Sequence, residues 1–140
     1  MSQDKDCIFC KIVAGEIPCF KLFEDDRVLS FMDINPFNDG HCLVISKAHH
    51  KDLFAASGDD LAAVARAVQR VAAAVNAAMQ PQGMNIIQAN GPAAGQTVFH
   101  YHCHVFPRHG DDDALLNWGH RPGDMARIEA NHRQILAAMD

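Results

Sequence analysis

Apolar residues along the chain gather either in short runs or at helical spacing, and the switch between the two sets the order of the elements. Two apolar runs, Phe20-Lys21-Leu22-Phe23-Glu24 and Arg27-Val28-Leu29-Ser30-Phe31-Met32-Asp33, flank the acidic pair Asp25-Asp26, which reads as a β-hairpin. Asn35-Pro36-Phe37-Asn38-Asp39-Gly40 breaks the pattern, and His41-Cys42-Leu43-Val44-Ile45 resumes it as a third strand. The spacing then turns helical. Leu61, Val64, Val68, Val71, Val75 and Ala78 alternate three and four apart, with Arg66, Gln69, Arg70 and Asn76 outside the stripe. This predicts a helix that opens at Ser57-Gly58-Asp59-Asp60, a capping-box variant, and runs to about Met79. Gln80-Pro81-Gln82-Gly83 ends it, and Met84-Asn85-Ile86-Ile87-Gln88 gives a fourth strand. A fifth strand carries the histidines at 100, 102 and 104. Met125, Ile128, Ile135 and Met139 recur at helical spacing between Asp124 and Met139. The expected fold is α+β, a five-stranded antiparallel sheet with a long helix and a C-terminal helix, in a single domain over 1–140.

Composition narrows the function classes. With 140 residues, 49% of them hydrophobic, the chain is large enough for one core without disulfides. Its five cysteines, Cys7, Cys10, Cys19, Cys42 and Cys103, are an odd count that argues against a disulfide framework. A net charge of -5 with scattered Lys and Arg lacks the basic footprint of a nucleic-acid binder, so a phosphate ligand has to be held locally. The longest uninterrupted strand-like run, Cys42-Leu43-Val44-Ile45, is too short to cross a bilayer, and the polar start Met1-Ser2-Gln3-Asp4-Lys5-Asp6 leads into no apolar signal core. A cytoplasmic protein with no membrane partner is expected.

His100, His102 and His104 recur at every second position, so a strand places them in one row about 7 Å apart, with Tyr101, Cys103 and Val105 toward the core. A solvated strand face and a metal triad are the competing readings. The loop just upstream decides against both. Asn90-Gly91-Pro92-Ala93-Ala94-Gly95-Gln96-Thr97 offers glycines for close backbone approach and Gln96 and Thr97 as neutral donors, an anion cradle ahead of the histidines. Cys7-Ile8-Phe9-Cys10 has the gap with which one tight turn presents two thiolates to a metal. A redox pair would instead open a helix that follows a strand. A closed metal site needs two more ligands, for which His49 and His100 are candidates, with His50 as the neighbouring competitor.

With cradle and triad joined, the chain resembles the histidine triad family of nucleotide-binding hydrolases and transferases. The motif stands as His100-Tyr101-His102-Cys103-His104-Val105-Phe106, preceded by Gly95-Gln96-Thr97-Val98. The resemblance implies an antiparallel sheet with helices that pairs into a homodimer. It also implies a structural zinc on Cys7, Cys10, His49 and His100, with Lys47-Ala48-His49 as the middle piece. Catalytic roles fall to His102 as nucleophile, His104 as a donor and His100 as its support. For the nucleotide it implies Asp33 at the ribose, Phe31 and Ile34 against a purine base, Asn90 at the α-phosphate or ribose, and Gly95, Gln96, Thr97, His102 and His104 around the phosphate. Trp118 is either near the partner's site or a satellite core residue. The expected activity is hydrolysis of nucleoside phosphoramidates at the α-phosphate through a nucleotidyl-histidine. The alternatives are dinucleoside polyphosphate hydrolysis and a regulatory module that binds purine nucleotides and turns over little.

Overall fold

The computed structural model describes residues 2–117 and 119–139, so Trp118 lies outside the described residues. Five strands, β1 (Lys21–Glu24), β2 (Val28–Met32), β3 (Cys42–Ser46), β4 (Gly83–Ile87) and β5 (His102–Arg108), form one sheet in the order β1-β2-β3-β5-β4. Every neighbouring pair is antiparallel. Three α-helices accompany it: α1 (Ile8–Val13), α2 (Gly58–Met79) and α3 (Met125–Ala137). The expected α+β sheet with its long and C-terminal helices is the fold observed. The short helix α1, six residues long, lacks the length for a periodic signal in the sequence.

The hairpin turns without glycine because Asp25 takes the place of a turn bond. Its carboxylate accepts the Arg27 and Val28 amides at 2.8 Å each. At the start of α2, Ser57 Oγ accepts the Asp60 amide at 3.2 Å, which is half of the expected capping box. The Asp60 carboxylate turns instead to His50 Nε2 and Arg27 Nη1, at 2.8 and 2.7 Å. That pairing holds Asp60 below the usual carboxylate range, with the His50 contact as the first cause.

Alternation along the strands separates two cores. Val28, Cys42, Val44, Tyr101, Cys103 and Val105 face α2, where they meet Val64, Val68, Val71 and Val75. The expected stripe thus packs on its own sheet, although Ala78 at its end is exposed. On the opposite face Leu29, Phe31, Leu43 and Ile45 meet Cys7, Phe9 and Cys10 from the α1 segment. His102 and His104 sit on this second face, opposite Ile45 and Leu43 in the β3–β5 register. The sheet therefore has a packing face toward α2 and a chemical face toward α1. No described helix is long and apolar enough to cross a membrane.

Candidate active site and metal centre

The expected row of three histidines divides into two and one. Strand β5 begins at His102, so His100 stands just outside it, fully buried and facing a different set of groups. The Tyr101 amide bonds to the His50 carbonyl at 2.6 Å, which ties this stretch to the loop after β3. The rings of His102 and His104 tilt toward one another, with centroids 5.1 Å apart at 67°, closer than two strand rises suggest.

Each imidazole has its tautomer set by a fixed neighbour. His102 Nδ1 lies 2.6 Å from the His100 carbonyl, so Nδ1 carries the hydrogen and Nε2 keeps the lone pair. His100 supports the middle histidine through its main chain, not its ring. At His104 a relay sets the arrangement. The Phe37 amide donates to His41 Nδ1 at 3.1 Å, so His41 Nε2 carries a hydrogen and donates to His104 Nδ1 at 2.9 Å. His104 Nε2 is left as the N–H donor. The Asp33 carboxylate stands 3.5 Å from His41 Nε2. Asp33, His41 and His104 are close enough together to suggest a second metal cluster. Yet both His41 nitrogens are already engaged, one accepting and one donating, so the group works as a hydrogen-bonded relay. His41, an isolated histidine at the head of a strand, gives no spacing signal in the sequence.

Burial keeps these rings neutral. It lowers the His102 and His41 pKa values, opposed at His102 first by the bond to the His100 carbonyl and at both by Asp33. His104, desolvated and facing the His102 and His41 rings, is pushed down to about 4. The expected kinetic consequence is that the His104 contribution to the acid limb of kcat/KM lies well below the ordinary imidazole value of 6.5. The sign for stability follows from linkage. Between the two values the unfolded chain binds protons that folded His104 refuses, so this contribution is complete above 6.5 and is lost as pH falls through about 4. A pH–rate profile with His41→Ala alongside tests the relay: the variant is expected to lose about a hundredfold in turnover at neutral pH. Wild-type turnover in that variant would contradict it.

The histidines open onto a cleft of about 340 Å³. Its polar lining includes Asp33, Thr97, His102 and His104, and its apolar lining includes Ile8, Phe9, Ile12, Phe31 and Val98. Phe31 and the 78% exposed Ile34 both line it. The loop upstream differs from the expected cradle. Gly91 and Gly95, at φ 88° and 87°, bracket a 3-10 turn over Pro92–Ala94, a conformation that glycine supplies without strain. The Gly95 and Gln96 amides are spent inside that turn, on the Pro92 and Gly91 carbonyls. The Gln96 side chain, 4% exposed, donates to the Lys51 and Val98 carbonyls and accepts the Gly91 amide. Asn90 is likewise occupied by Gln88 and the Leu53 amide. Gly95, Gln96 and Asn90 brace the loop, and Thr97 is the side chain it presents to the cleft.

Beside the cleft Cys7, Cys10, His49 and His100 converge, their ligand atoms all within 4.8 Å of one another. Cys7 caps α1 with its own sulfur, so the Cys-x-x-Cys opens a helix where a tight turn was expected. The spacings match a tetrahedral ion. Ligands at zinc distances stand about 3.3 Å apart for two nitrogens and about 3.6 Å for nitrogen and sulfur. Here His49 Nδ1 and His100 Nδ1 are 3.3 Å apart, and three of the four sulfur to Nδ1 distances, Cys7 to His100, Cys10 to His49 and Cys10 to His100, are 3.4, 3.4 and 3.5 Å. His100 Nε2 donates to the Ser46 carbonyl at 2.6 Å, which leaves the Nδ1 lone pair facing the cluster. His50, the alternative ligand, is turned away to Asp60. A four-residue centre of this kind leaves no open position for water.

The family model of the HIT domain matches residues 14–111. The chain is 38% identical over 130 residues, 92% of its length and 95% of the relative's, to an adenosine 5'-monophosphoramidase of Schizosaccharomyces pombe. Among solved structures it is similar to SMU.412c of Streptococcus mutans, with a TM-score of 0.94 at 36% identity over 99% of this chain and 88% of that one. It is also similar to a zinc-bound histidine triad family protein of Mycobacterium smegmatis, with a TM-score of 0.74 at 37% identity, covering 95% and 97% of the two chains. The protein belongs to the HIT family.

Proposed function

We propose that the cleft hydrolyses nucleoside phosphoramidates, or closely related nucleotidyl bonds, at the α-phosphorus through a nucleotide bound covalently to His102. The observation that carries this reading is the tautomer order. His102 is left with a free lone pair on Nε2 and His104 with an N–H on Nε2, two neighbouring rings with opposite roles lining one cleft. In the reaction His102 Nε2 attacks phosphorus and the bond to the amine breaks as that nitrogen takes a proton from solvent; water then cleaves the phosphorus–nitrogen bond to His102, releasing the nucleoside monophosphate and returning a proton to solvent. Negative charge that grows on the phosphoryl oxygens meets His104 Nε2–H and the Thr97 hydroxyl. Asp33 takes the ribose hydroxyls, while Phe31 and Ile34 flank a purine base of the AMP or GMP type. A larger groove of about 460 Å³ between the β1–β2 turn and α2, lined by Arg27, Arg66 and Arg70 among others, holds no histidine. The phosphoramidase activity of the fission-yeast relative supports the substrate class. Steady-state assays with adenosine phosphoramidate, lysyl-AMP and diadenosine polyphosphates test it: turnover of the phosphoramidates is expected to dominate. Tight AMP binding with no turnover of any of them would favour a regulatory module instead.

We further assign a structural zinc to Cys7, Cys10, His49 and His100. The tetrahedral spacing and the zinc-bound mycobacterial neighbour support it. Five free thiols suit the reducing cytoplasm. A homodimer is the expected assembly. Exposed apolar side chains on β4 and α3, Ile86, Met125, Ile128, Ile135 and Leu136, give a second chain something to cover. Light scattering at micromolar protein is expected to give twice 15.4 kDa; a 15.4 kDa particle would rule the dimer out.

A further inference from the structure

The cluster and the cleft are built on one short helix. Cys7 and Cys10 face the cluster, while Ile8, Phe9 and Ile12 of the same segment line the cleft. Phe9, between the two thiols, lies edge-on to His102 at 5.1 Å, to Phe31 at 5.7 Å and to His100 at 5.9 Å. Six residues of helix do not hold their shape alone in water. No strand ladder anchors α1, because the sheet begins at Lys21. Its attachments are the cluster side chains, the apolar packing of Phe9 with the partly buried Ile12 and Val13, and bonds from the preceding residues, such as the His49 amide to the Ser2 carbonyl at 2.8 Å. His100 is a second shared part. Its ring belongs to the cluster while its carbonyl fixes Nδ1 of His102.

We propose that closure of the Cys7–Cys10–His49–His100 cluster and occupation of the nucleotide cleft are energetically coupled, with Phe9 as the positioning residue between them. This rests on the reading of the cleft as a nucleotide site. When the two thiolates and two imidazoles are drawn together, α1 is clasped to the sheet, and Phe9 is held both as a wall for the base and as a brace for the His102 ring. When the cluster opens, α1 loses its main tether, and the cleft loses one wall and the support of its nucleophile together. Coupling of binding free energies is reciprocal, so whatever factor metal loading adds to nucleotide affinity, bound nucleotide adds to retention of the cluster. A factor of about ten is expected, within the usual range for such coupling.

The test uses the full chain, zinc and AMP. Titration calorimetry gives AMP affinity for zinc-loaded protein and for protein stripped with a chelator, and iodoacetamide labelling of Cys7 and Cys10 gives cluster opening with and without AMP. Affinity is expected to fall about tenfold on stripping, and AMP is expected to slow labelling by a similar factor. Should the stripped chain unfold, Phe9→Ala carries the test, since it leaves all four ligands in place. That variant is expected to hold zinc, to show a higher KM and a lower kcat, and to lose the protection of its thiols by AMP. Phe9→Leu, which restores apolar bulk, recovers most of the KM and less of the kcat, a split that a general packing role does not produce. Full AMP protection of the thiols in zinc-loaded Phe9→Ala overturns the coupling and leaves the nucleotide reading standing. Absence of AMP binding to zinc-loaded wild type overturns both.

Discussion

His102→Ala is expected to lower hydrolysis of adenosine phosphoramidate by at least about a thousandfold while leaving AMP binding close to wild type. The reasoning is differential. His102 Nε2 is the only lone pair of the two cleft imidazoles left uncommitted by its neighbours, because His104 Nδ1 is filled by the His41 donor and His104 Nε2 carries the hydrogen. Deleting the ring removes the covalent route. The groups assigned to ribose, base and phosphoryl oxygens, Asp33, Phe31, Thr97 and His104, are separate side chains and remain. Transition-state stabilisation is therefore lost with little loss of ground-state binding, the pattern of kcat falling and KM holding. His104→Ala differs in kind: it removes a donor to the phosphoryl oxygens and is expected to cost less in turnover than the nucleophile. Comparable turnover in His102→Ala and wild type would move the nucleophile to another residue.

The second large effect belongs to the metal centre. Wild-type protein is expected to contain close to one zinc per chain, and the double variant Cys7→Ser, Cys10→Ser close to none, by metal analysis of the purified proteins. A ligand that binds the folded chain a thousand times above its Kd stabilises it by about 4 kcal/mol, and the variant forgoes that contribution. Its denaturation midpoint should fall accordingly, with the segment before β1 becoming accessible to protease ahead of the sheet. Two single variants separate the neighbouring histidines. His49→Ala is expected to lose the metal, whereas His50→Ala keeps it and breaks only the contact with Asp60. Unchanged metal content in the cysteine double variant would remove zinc from this site.

Periodicity carried most of the scaffold. The valine stripe of α2, the apolar runs of β2 and β3 and the C-terminal helix are each written in a pattern that one element decides by itself, and their limits fell within a residue or two of the structure. What the sequence concealed depends on partners distant in the chain. Period two places His100 in line with His102 and His104, but the Ser46 carbonyl and the cluster draw its ring away before the strand begins. Gln96 and Asn90 look like ligand donors because their amides are polar and near glycines. Lys51, Leu53 and Gln88 claim those amides, and Lys51 and Leu53 lie some 40 positions earlier in a different loop. Asp60 looked like half of a capping box and is the partner of His50 and Arg27. His41 had no local pattern at all, since its role is created by the β3–β5 register that sets Leu43 opposite His104. Motif spacing identified the types of chemistry, and the fold decided which side chains were free to perform it.

The covalent intermediate is the point on which the functional account turns. Wild-type protein mixed with adenosine phosphoramidate labelled at the α-phosphorus, quenched in base where phosphohistidine survives and digested for peptide mapping, is expected to yield label on the peptide that contains His102, and His102→Ala none. Label on a peptide lacking His102, or rapid turnover by wild type with no trapped label at any quench time, would contradict it.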